Sequence, residues 1–333
     1  MDLPENPRIG IVGSGSWATA IAKILTEECS AINWFVRKQS TIQAFKRLGH
    51  NPRYLTSAEF DLDRILFMSD LDMLIENSDV IIFAVPSAYI RNVIESSTVS
   101  LKDKIIVSAI KGLVTDNNLI LSEFFNAYYE VPFEQIVIIS GPCHAEEIAM
   151  ERLSYLTFAC INTKLASSIA RMFECRYVKT SILSDVYGTE YAAVMKNIFA
   201  IAVGICHGLR YGDNFVAVLV ANALKEIERF VDAVYSQNRD ITDSAYLGDL
   251  LVTSYSQFSR NRTFGTMIGK GYTVKAAQLE MLQIVEGYYS VKGIKEINDR
   301  YMVNMPIVNA VYNILYERIS PMLEIRLLTD ELR

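Results

Sequence analysis

Gly13-Ser-Gly15-Ser-Trp17-Ala18 lies directly after the apolar run Ile9-Gly-Ile-Val12 and opens the helix-forming run from Trp17 to Leu25. Strand, tight turn and helix in that order build a phosphate cradle. Gly13 permits the turn, Gly15 lets a pyrophosphate reach the backbone, and the helix N-terminus offers amides to the anion. Ala18, at the third position of the spacing, still allows close helix–strand packing. A lone match of this kind arises by chance in ordinary turns. Its position behind an apolar β-type run is what favours nucleotide binding.

A second candidate is Lys196, in the stretch Glu190-Tyr-Ala-Ala-Val-Met-Lys196-Asn197-Ile198-Phe199. An ammonium in such apolar company must be paired, snorkel to water, or face a polar cleft. Desolvation lowers the pKa of a lysine, which is the adjustment a general acid or base needs. The plainer alternative is a lysine at a domain edge that simply reaches solvent. Glu190 and Asn197 are seven apart and share a helical face, so a polar seam along this helix is expected.

Gly248-Asp249-Leu-Leu-Val-Thr253, followed by Ser259-Arg260-Asn261-Arg262, forms a third group. An Arg-Asn pair flanked by Ser and Arg can grip a phosphate through a planar fork and an amide donor. Seen alone, the same residues read as a solvated basic turn. The histidines carry less. His144 follows Cys143 directly, and adjacent side chains rarely converge on one atom, so a Cys–His dyad is not expected. His50, His144 and His207 share no ligand spacing, and no metal site is expected.

The elements needed to hold these groups alternate in the first half of the chain. Apolar, β-branched runs at 9–12, 31–36, 80–85, 105–109 and 136–139 read as strands buried on both faces, with helices such as 69–77 and 117–129 between them. This predicts an α/β fold whose N-terminal part is a Rossmann-type, doubly wound sheet. Turns at 13–16, 86–87, 111–112 and 141–142 follow strands, and ligands in such sheets bind beyond the carboxyl ends of the strands. From Asp185 onward helical spacing takes over, with helices expected at 185–205, 214–234, 273–281, 287–300 and 306–316. The chain is therefore read as a dinucleotide-binding domain, 1–184, followed by an all-helical substrate and catalytic domain, 185–333.

The end of the second strand bears on cofactor choice. Domains specific for a free ribose 2′-hydroxyl usually carry an acid about 20 residues beyond the glycines. Here the sequence runs Val36-Arg37-Lys38-Gln39. Arg37 can pair with a 2′-phosphate or stack on adenine, so NADP(H) is favoured and NAD(H) stays open. A solvated basic turn is the alternative.

Composition agrees with an enzyme of this kind. The 333 residues are 51% hydrophobic and 21% charged, ample for two cores. A net charge of −6 argues against nucleic acid as a partner. The five cysteines are scattered and show no CxxC pair, as expected of reduced thiols in a cytoplasmic protein. The acidic start, Met1 to Glu5, lacks the pattern of a secretory leader, and the apolar run around 198–206 is short for a membrane span.

Taken together, the chain resembles the bacterial-type NAD(P)-dependent glycerol-3-phosphate dehydrogenases. The likeness rests on landmarks in register over nearly the full length: Gly13-x-Gly15-x-Trp17-Ala18, Asn51-Pro-Arg-Tyr-Leu55, Ala84-Val-Pro-Ser87, Ser108-Ala-Ile-Lys111-Gly112, Ser140-Gly-Pro142, Lys196-Asn197, Gly212-Asp-Asn214, Gly248-Asp249-Leu250, Ser259-Arg-Asn-Arg262 and Val285-Glu286-Gly287. The resemblance implies reduction of dihydroxyacetone phosphate to sn-glycerol 3-phosphate for phospholipid synthesis. It also implies a catalytic Lys196, a second cation at Lys111, and an Asp249 that holds both lysine and substrate. Gly13, Gly15, Ser16, Trp17, Arg37, Lys111, Gly141, Ala145, Arg260 and Glu286 would line the cofactor site. Lys111, Gly141, Lys196, Asn197, Asp249, Ser259, Arg260 and Asn261 would meet the substrate. A homodimer is left open.

Three positions depart from the family pattern: Ala18 for the third glycine, Cys143 for the serine after Gly-Pro, and Leu282-Gln283 for a Gly-Gln pair. Two rivals fit the same sequence less well. A hydroxyacid-type dehydrogenase would want a carboxylate site, and an NADP(H)-sensing protein without catalysis has no need of Lys196, Lys111 and Asp249 together.

Overall fold

The computed structural model describes residues 3–29, 31–281 and 283–332, and places them in two compact units. The first comprises Met1–Ile110 and Leu121–Val186, and the second comprises Lys111–Ile120 and Tyr187–Arg333. The division is not a single cut. Ten residues that follow strand five, from Lys111 to Ile120, belong with the helical unit.

The first unit is built on an eight-stranded sheet in the order β3-β2-β1-β4-β5-β6-β7-β8. Its strands are β1 (Ile9–Val12), β2 (Ile32–Phe35), β3 (Ile65–Met68), β4 (Val80–Phe83), β5 (Ile105–Ser108), β6 (Ile136–Ser140), β7 (Ser154–Ala159) and β8 (Val178–Leu183). All neighbours pair in parallel except β6 and β7. The helices are α1 (Ser16–Glu28), α2 (Gln39–Leu48), α3 (Leu71–Glu76), α4 (Ile90–Ile94), α5 (Leu121–Tyr129), α6 (Ala145–Ala149) and α7 (Thr163–Arg171). The doubly wound sheet expected from the alternating pattern is present. β1 pairs with both β2 and β4, so the strand order reverses beside β1, where such sheets hold their ligands.

Strands β1, β4, β5 and β6 are buried at every position, which is why continuous apolar runs reveal them. Strands β3, β7 and β8 were not foreseen. β8 reads Val178-Lys-Thr-Ser-Ile-Leu183 and buries only Val178 fully, as suits the sheet's edge. The helix expected over 117–129 begins only at Leu121. Asn118 stands at φ +55°, a left-handed conformation incompatible with helix, and the residues before Leu121 turn back on themselves instead.

The second unit is all-helical: α8 (Val186–Gly208), α9 (Asp213–Val234), α10 (Asp249–Tyr255), α11 (Arg260–Gly269), α12 (Val274–Glu280), α13 (Glu286–Tyr301), α14 (Pro306–Leu315) and α15 (Pro321–Glu331). α8 is long and apolar enough to cross a membrane by length and composition, and 89% of its most apolar window is buried in the protein, as in a core helix. It runs well beyond the short apolar stretch expected around 198–206. α8 and α11 cross with backbones in contact. A Cβ on Gly204 would strike the Arg262 carbonyl, and one on Gly265 would strike that of Ile201. This crossing brings the residue after Lys196 beside the start of α11. α9 and α14 are joined by a buried carboxylate: Glu226 accepts from the amides of Ile307 (2.7 Å) and Val308 (3.3 Å). Burial pushes the Glu226 carboxyl up to about 8.

Candidate active site

In the first unit the glycine turn is held from below. Gly13 stands at φ +130°, and a Cβ there would run into the Ala84 carbonyl at the end of β4. Only glycine meets both conditions. Gly15 is the N-cap of α1, and nothing lies within 4 Å of where its Cβ would be. That open space is what a pyrophosphate approaching the backbone requires. α1 starts with no acidic residue in its first turn, so its positive end is not neutralised from within. Ser16 and Trp17 are half-buried in that turn, and Ala18 is fully buried, so the alanine in place of glycine fits the packing. These residues fit a dinucleotide phosphate.

Two supports for the turn were missed from sequence. The Trp34 indole Nε1–H on β2 donates to Gly13 O at 2.6 Å. The buried Asn51 donates through Nδ2 to Ser14 O (3.1 Å) and Thr19 Oγ1 (2.8 Å), while its Oδ1 accepts from the amides of Arg53 and Tyr54. The Asn51-Pro-Arg-Tyr motif was a signal, and its work is to brace the turn.

The remaining first-unit candidates fall as follows. Arg37 is exposed just beyond β2. Gly141 ends β6 at φ +105°, and a Cβ there would stand 2.8 Å from the Tyr155 carbonyl. Ala145 is buried as the first residue of α6, which packs on α1. Cys143 is half-buried.

In the second unit three charged side chains meet. The Lys196 ammonium on α8 donates to Asp249 Oδ1, and the Lys111 ammonium donates to Asp249 Oδ2 at 2.8 Å. Asp249 is the first residue of α10 and follows a π-type turn, Ser244–Gly248. The Asp249 side chain is 1% exposed, Lys196 6% and Lys111 17%, so the carboxylate and one ammonium are out of water while the second cation reaches it. Burial drives the Lys196 ammonium well below its ordinary pKa, to about 7. Asp249 opposes the fall, and the charge of Lys111 adds to it. For Asp249, burial pushes the carboxyl up, but the two ammoniums outweigh burial and hold it below the usual carboxylate range. Thr253, one helical turn from Asp249, points its hydroxyl at Asp249 Oδ1 (3.5 Å). Sequence reading grouped Thr253 with Asp249 without giving it a role, and the i+4 spacing places both on one helical face.

An amide chain runs beside this cluster. Asn197 Nδ2 donates to Lys111 O (2.9 Å), Asn261 Nδ2 donates to Asn197 Oδ1 (2.9 Å), and the Gly287 amide donates to Asn261 Oδ1 (3.0 Å). It ties the Lys111 backbone to α8, α11 and the start of α13, next to the half-buried Glu286. Glu190, also on α8, is buried as Asn197 is. Ser259 serves as the N-cap of α11, its hydroxyl accepting from Arg262 N at 3.3 Å. Arg260 is exposed and donates to Gln283 Oε1 (2.8 Å) and Ile284 O (3.3 Å). Leu282, one of the positions that depart from the family pattern, lies outside the described residues. Among the described residues no three His, Cys, Asp or Glu side chains gather as a metal set.

Residues 8–166 match the family model of the NAD-dependent glycerol-3-phosphate dehydrogenase N-terminus, and residues 185–325 match that of its C-terminus. The chain is 32% identical to the glycerol-3-phosphate dehydrogenase [NAD(P)+] of Clostridium botulinum over 319 residues, covering 96% of each. It is 34% identical to the enzyme of that name from Lacticaseibacillus paracasei, over 93% of this chain and 91% of the relative. The crystal structure of glycerol-3-phosphate dehydrogenase from Coxiella burnetii superimposes with a TM-score of 0.90 at 29% identity, covering 98% of this chain and 99% of that one.

Proposed function

Because the chain belongs to the NAD-dependent glycerol-3-phosphate dehydrogenase family, we propose that it reduces dihydroxyacetone phosphate to sn-glycerol 3-phosphate, with NADPH preferred over NADH. The observation that carries the reading is the pair of ammoniums on one buried carboxylate, Lys196 and Lys111 on Asp249.

The nicotinamide, when bound, supplies the hydride to the ketone carbon. As that carbon is reduced, negative charge builds on the carbonyl oxygen. Lys196 delivers its proton there and becomes a neutral amine, so the product hydroxyl takes its hydrogen from Nζ. Acid catalysis of this kind contributes about 10²- to 10⁴-fold. A buried ammonium with weakened hold on its proton suits the task, and the same group accepts the proton in the reverse direction. Lys111 adds positive field where the charge develops. Asp249 keeps both ammoniums in place.

Arg260 and Asn261 at the head of α11 would hold the substrate phosphate, with Asn197 and Ser259 beside them. That grip, remote from the reacting carbon, orients the ketone. Gly13, Gly15, Ser16 and Trp17 would receive the pyrophosphate, and Gly141, Ala145, Lys111 and Glu286 would border the cofactor. Arg37 stands at the end of β2, where a ribose 2′-substituent is read, and this supports the preference for NADPH. The first unit thus serves the cofactor, and the second serves substrate and proton transfer. The product feeds glycerophospholipid synthesis. Unbridged cysteines suit a reducing, cytoplasmic setting.

Turnover of dihydroxyacetone phosphate with each reduced cofactor tests the reading. Lys196→Ala should fold, bind cofactor as the wild type does, and lose about two to four orders of magnitude in kcat. Near-normal turnover in that variant would remove Lys196 from the chemistry.

A further inference from the structure

Lys196 and Asp249 ride on helices, whereas Lys111 sits at the head of a loop. That loop, 111–120, follows β5 and precedes α5 in the chain yet packs with the helical unit. It folds back on itself: Val114 N donates to Leu119 O (2.9 Å) and Asn118 N to Val114 O (2.9 Å). Asn118 takes the left-handed conformation this reversal needs, at φ +55°. Two contacts seat the reversal on α13. Asn118 Nδ2 donates to Glu296 Oε2 at 2.5 Å. Gly293, on the same helical face, is the floor of the seat: a Cβ there would stand 2.6 Å from Leu113 Cδ1 and 2.9 Å from Asn118 Oδ1. A glycine inside a helix is less favourable than alanine, so Gly293 needs a reason, and the space taken by Leu113 and Asn118 is one. At the other end Asn197 Nδ2 holds Lys111 O.

We propose that Gly293, Glu296 and Asn118 are positioning residues, a latch on α13 that sets where the Lys111 ammonium stands against Asp249 and Lys196. The proposal rests on the acid role assigned above to that cluster. Leu113 is two residues from Lys111, so lifting it draws Lys111 away from Asp249. Displacement of a catalytic group by about 1 Å can cost about 10²-fold in rate. Asp249 and Lys111 act on the charge of Lys196, and the Lys292 ammonium stands 3.8 Å from the Glu296 carboxylate. Lys111 pushes the Lys196 proton off. Withdrawing it lets Lys196 keep its proton to higher pH.

The test compares Lys111→Met with three latch variants: Glu296→Ala, Asn118→Gly, which keeps the left-handed turn, and Gly293→Val. Ketone reduction is followed as kcat against pH. Each latch variant should lose about tenfold or more in kcat. Its alkaline limb should move to higher pH, in the same direction as for Lys111→Met. Glu296→Gln, which still offers an oxygen to Asn118, should recover most of the loss. Adding Gly293→Val to Lys111→Met should change nothing further. Should Gly293→Val not fold, Glu296→Ala and Asn118→Gly decide the matter. Wild-type kcat and an unmoved limb in the latch variants, beside an impaired Lys111→Met, would overturn the latch alone. A lower kcat with the limb unmoved marks general damage and overturns it too. If Lys111→Met itself behaves as wild type, the reading of the cluster fails, and the latch with it.

Discussion

Lys111 and Asp249 lie 138 residues apart in the chain and meet at 2.8 Å, Nζ to Oδ2, on a carboxylate that also accepts from Lys196. One buried anion thus serves two cations, and the arrangement carries a net positive charge where an oxyanion would form. That surplus is the physical basis of the first two expectations.

Asp249→Asn removes the anion and leaves the buried Lys196 ammonium facing the partly exposed one of Lys111. Breaking one side of a buried pair costs about 3–5 kcal/mol of stability. Asp249 also raises the proton affinity of Lys196, so its loss should shift the alkaline limb of ketone reduction to lower pH. Asp249→Asn combined with Lys111→Met should recover part of the lost stability, because one of the two stranded charges has gone. Thermal melting and a pH–rate profile check both points. A limb that stays put would mean that Asp249 does not act on Lys196.

In the wild type the direction of the pH dependence follows from Lys196. Its folded pKa lies below the ordinary lysine value, near 7, and reduction needs the ammonium. kcat/KM for ketone reduction should therefore fall as pH rises through about 7. Oxidation of glycerol 3-phosphate needs the neutral amine and should rise over the same interval. Parallel profiles in the two directions would contradict the assignment.

Arg37→Asp turns a charge-assisted contact with a 2′-phosphate into a repulsion. The penalty on NADPH should be about 1.5–3 kcal/mol, at least about tenfold in the ratio of NADPH to NADH affinity. Titration of both cofactors measures it, and an unchanged ratio would make Arg37 a solvated turn residue.

Arg260→Lys keeps the charge and loses the planar fork. It should raise KM for dihydroxyacetone phosphate and lower kcat, because phosphate binding energy orients the ketone. Asn261→Ala should share the direction of that defect and add a loss of stability, since it cuts the buried bonds to Asn197 and Gly287. Dihydroxyacetone, which lacks the phosphate, is the control. Wild type and Arg260→Lys should use it equally poorly, and equal damage on both substrates would assign Arg260 to the cofactor or to the fold.

Much of the molecule was legible before folding, for local reasons. Glycine at position 13 answers a backbone demand, φ +130° against the end of β4, that no other residue meets. The strands β1, β4, β5 and β6 are apolar on both faces because helices cover both sides of a parallel sheet, so their runs stand out. Strands β7 and β8 did not stand out, since Ser154 and Thr157 in one and Lys179, Thr180 and Ser181 in the other break the apolar run, whereas β3, Ile65-Leu-Phe-Met68, is apolar throughout and was passed over as a run of only four residues. Lys196 drew notice as a charge in apolar company, which burial explains. Its partners Asp249 and Lys111 came only with the family resemblance, because no local spacing joins them to it. Asp249 lies 53 residues beyond it, and Lys111 comes earlier still, in a loop that leaves the sheet unit to pack on α13. Chemical type and local spacing are written along the chain, whereas the distance between charges is decided by how helices cross and where a loop is seated. The meeting of two ammoniums on one carboxylate is therefore a property of the tertiary structure alone.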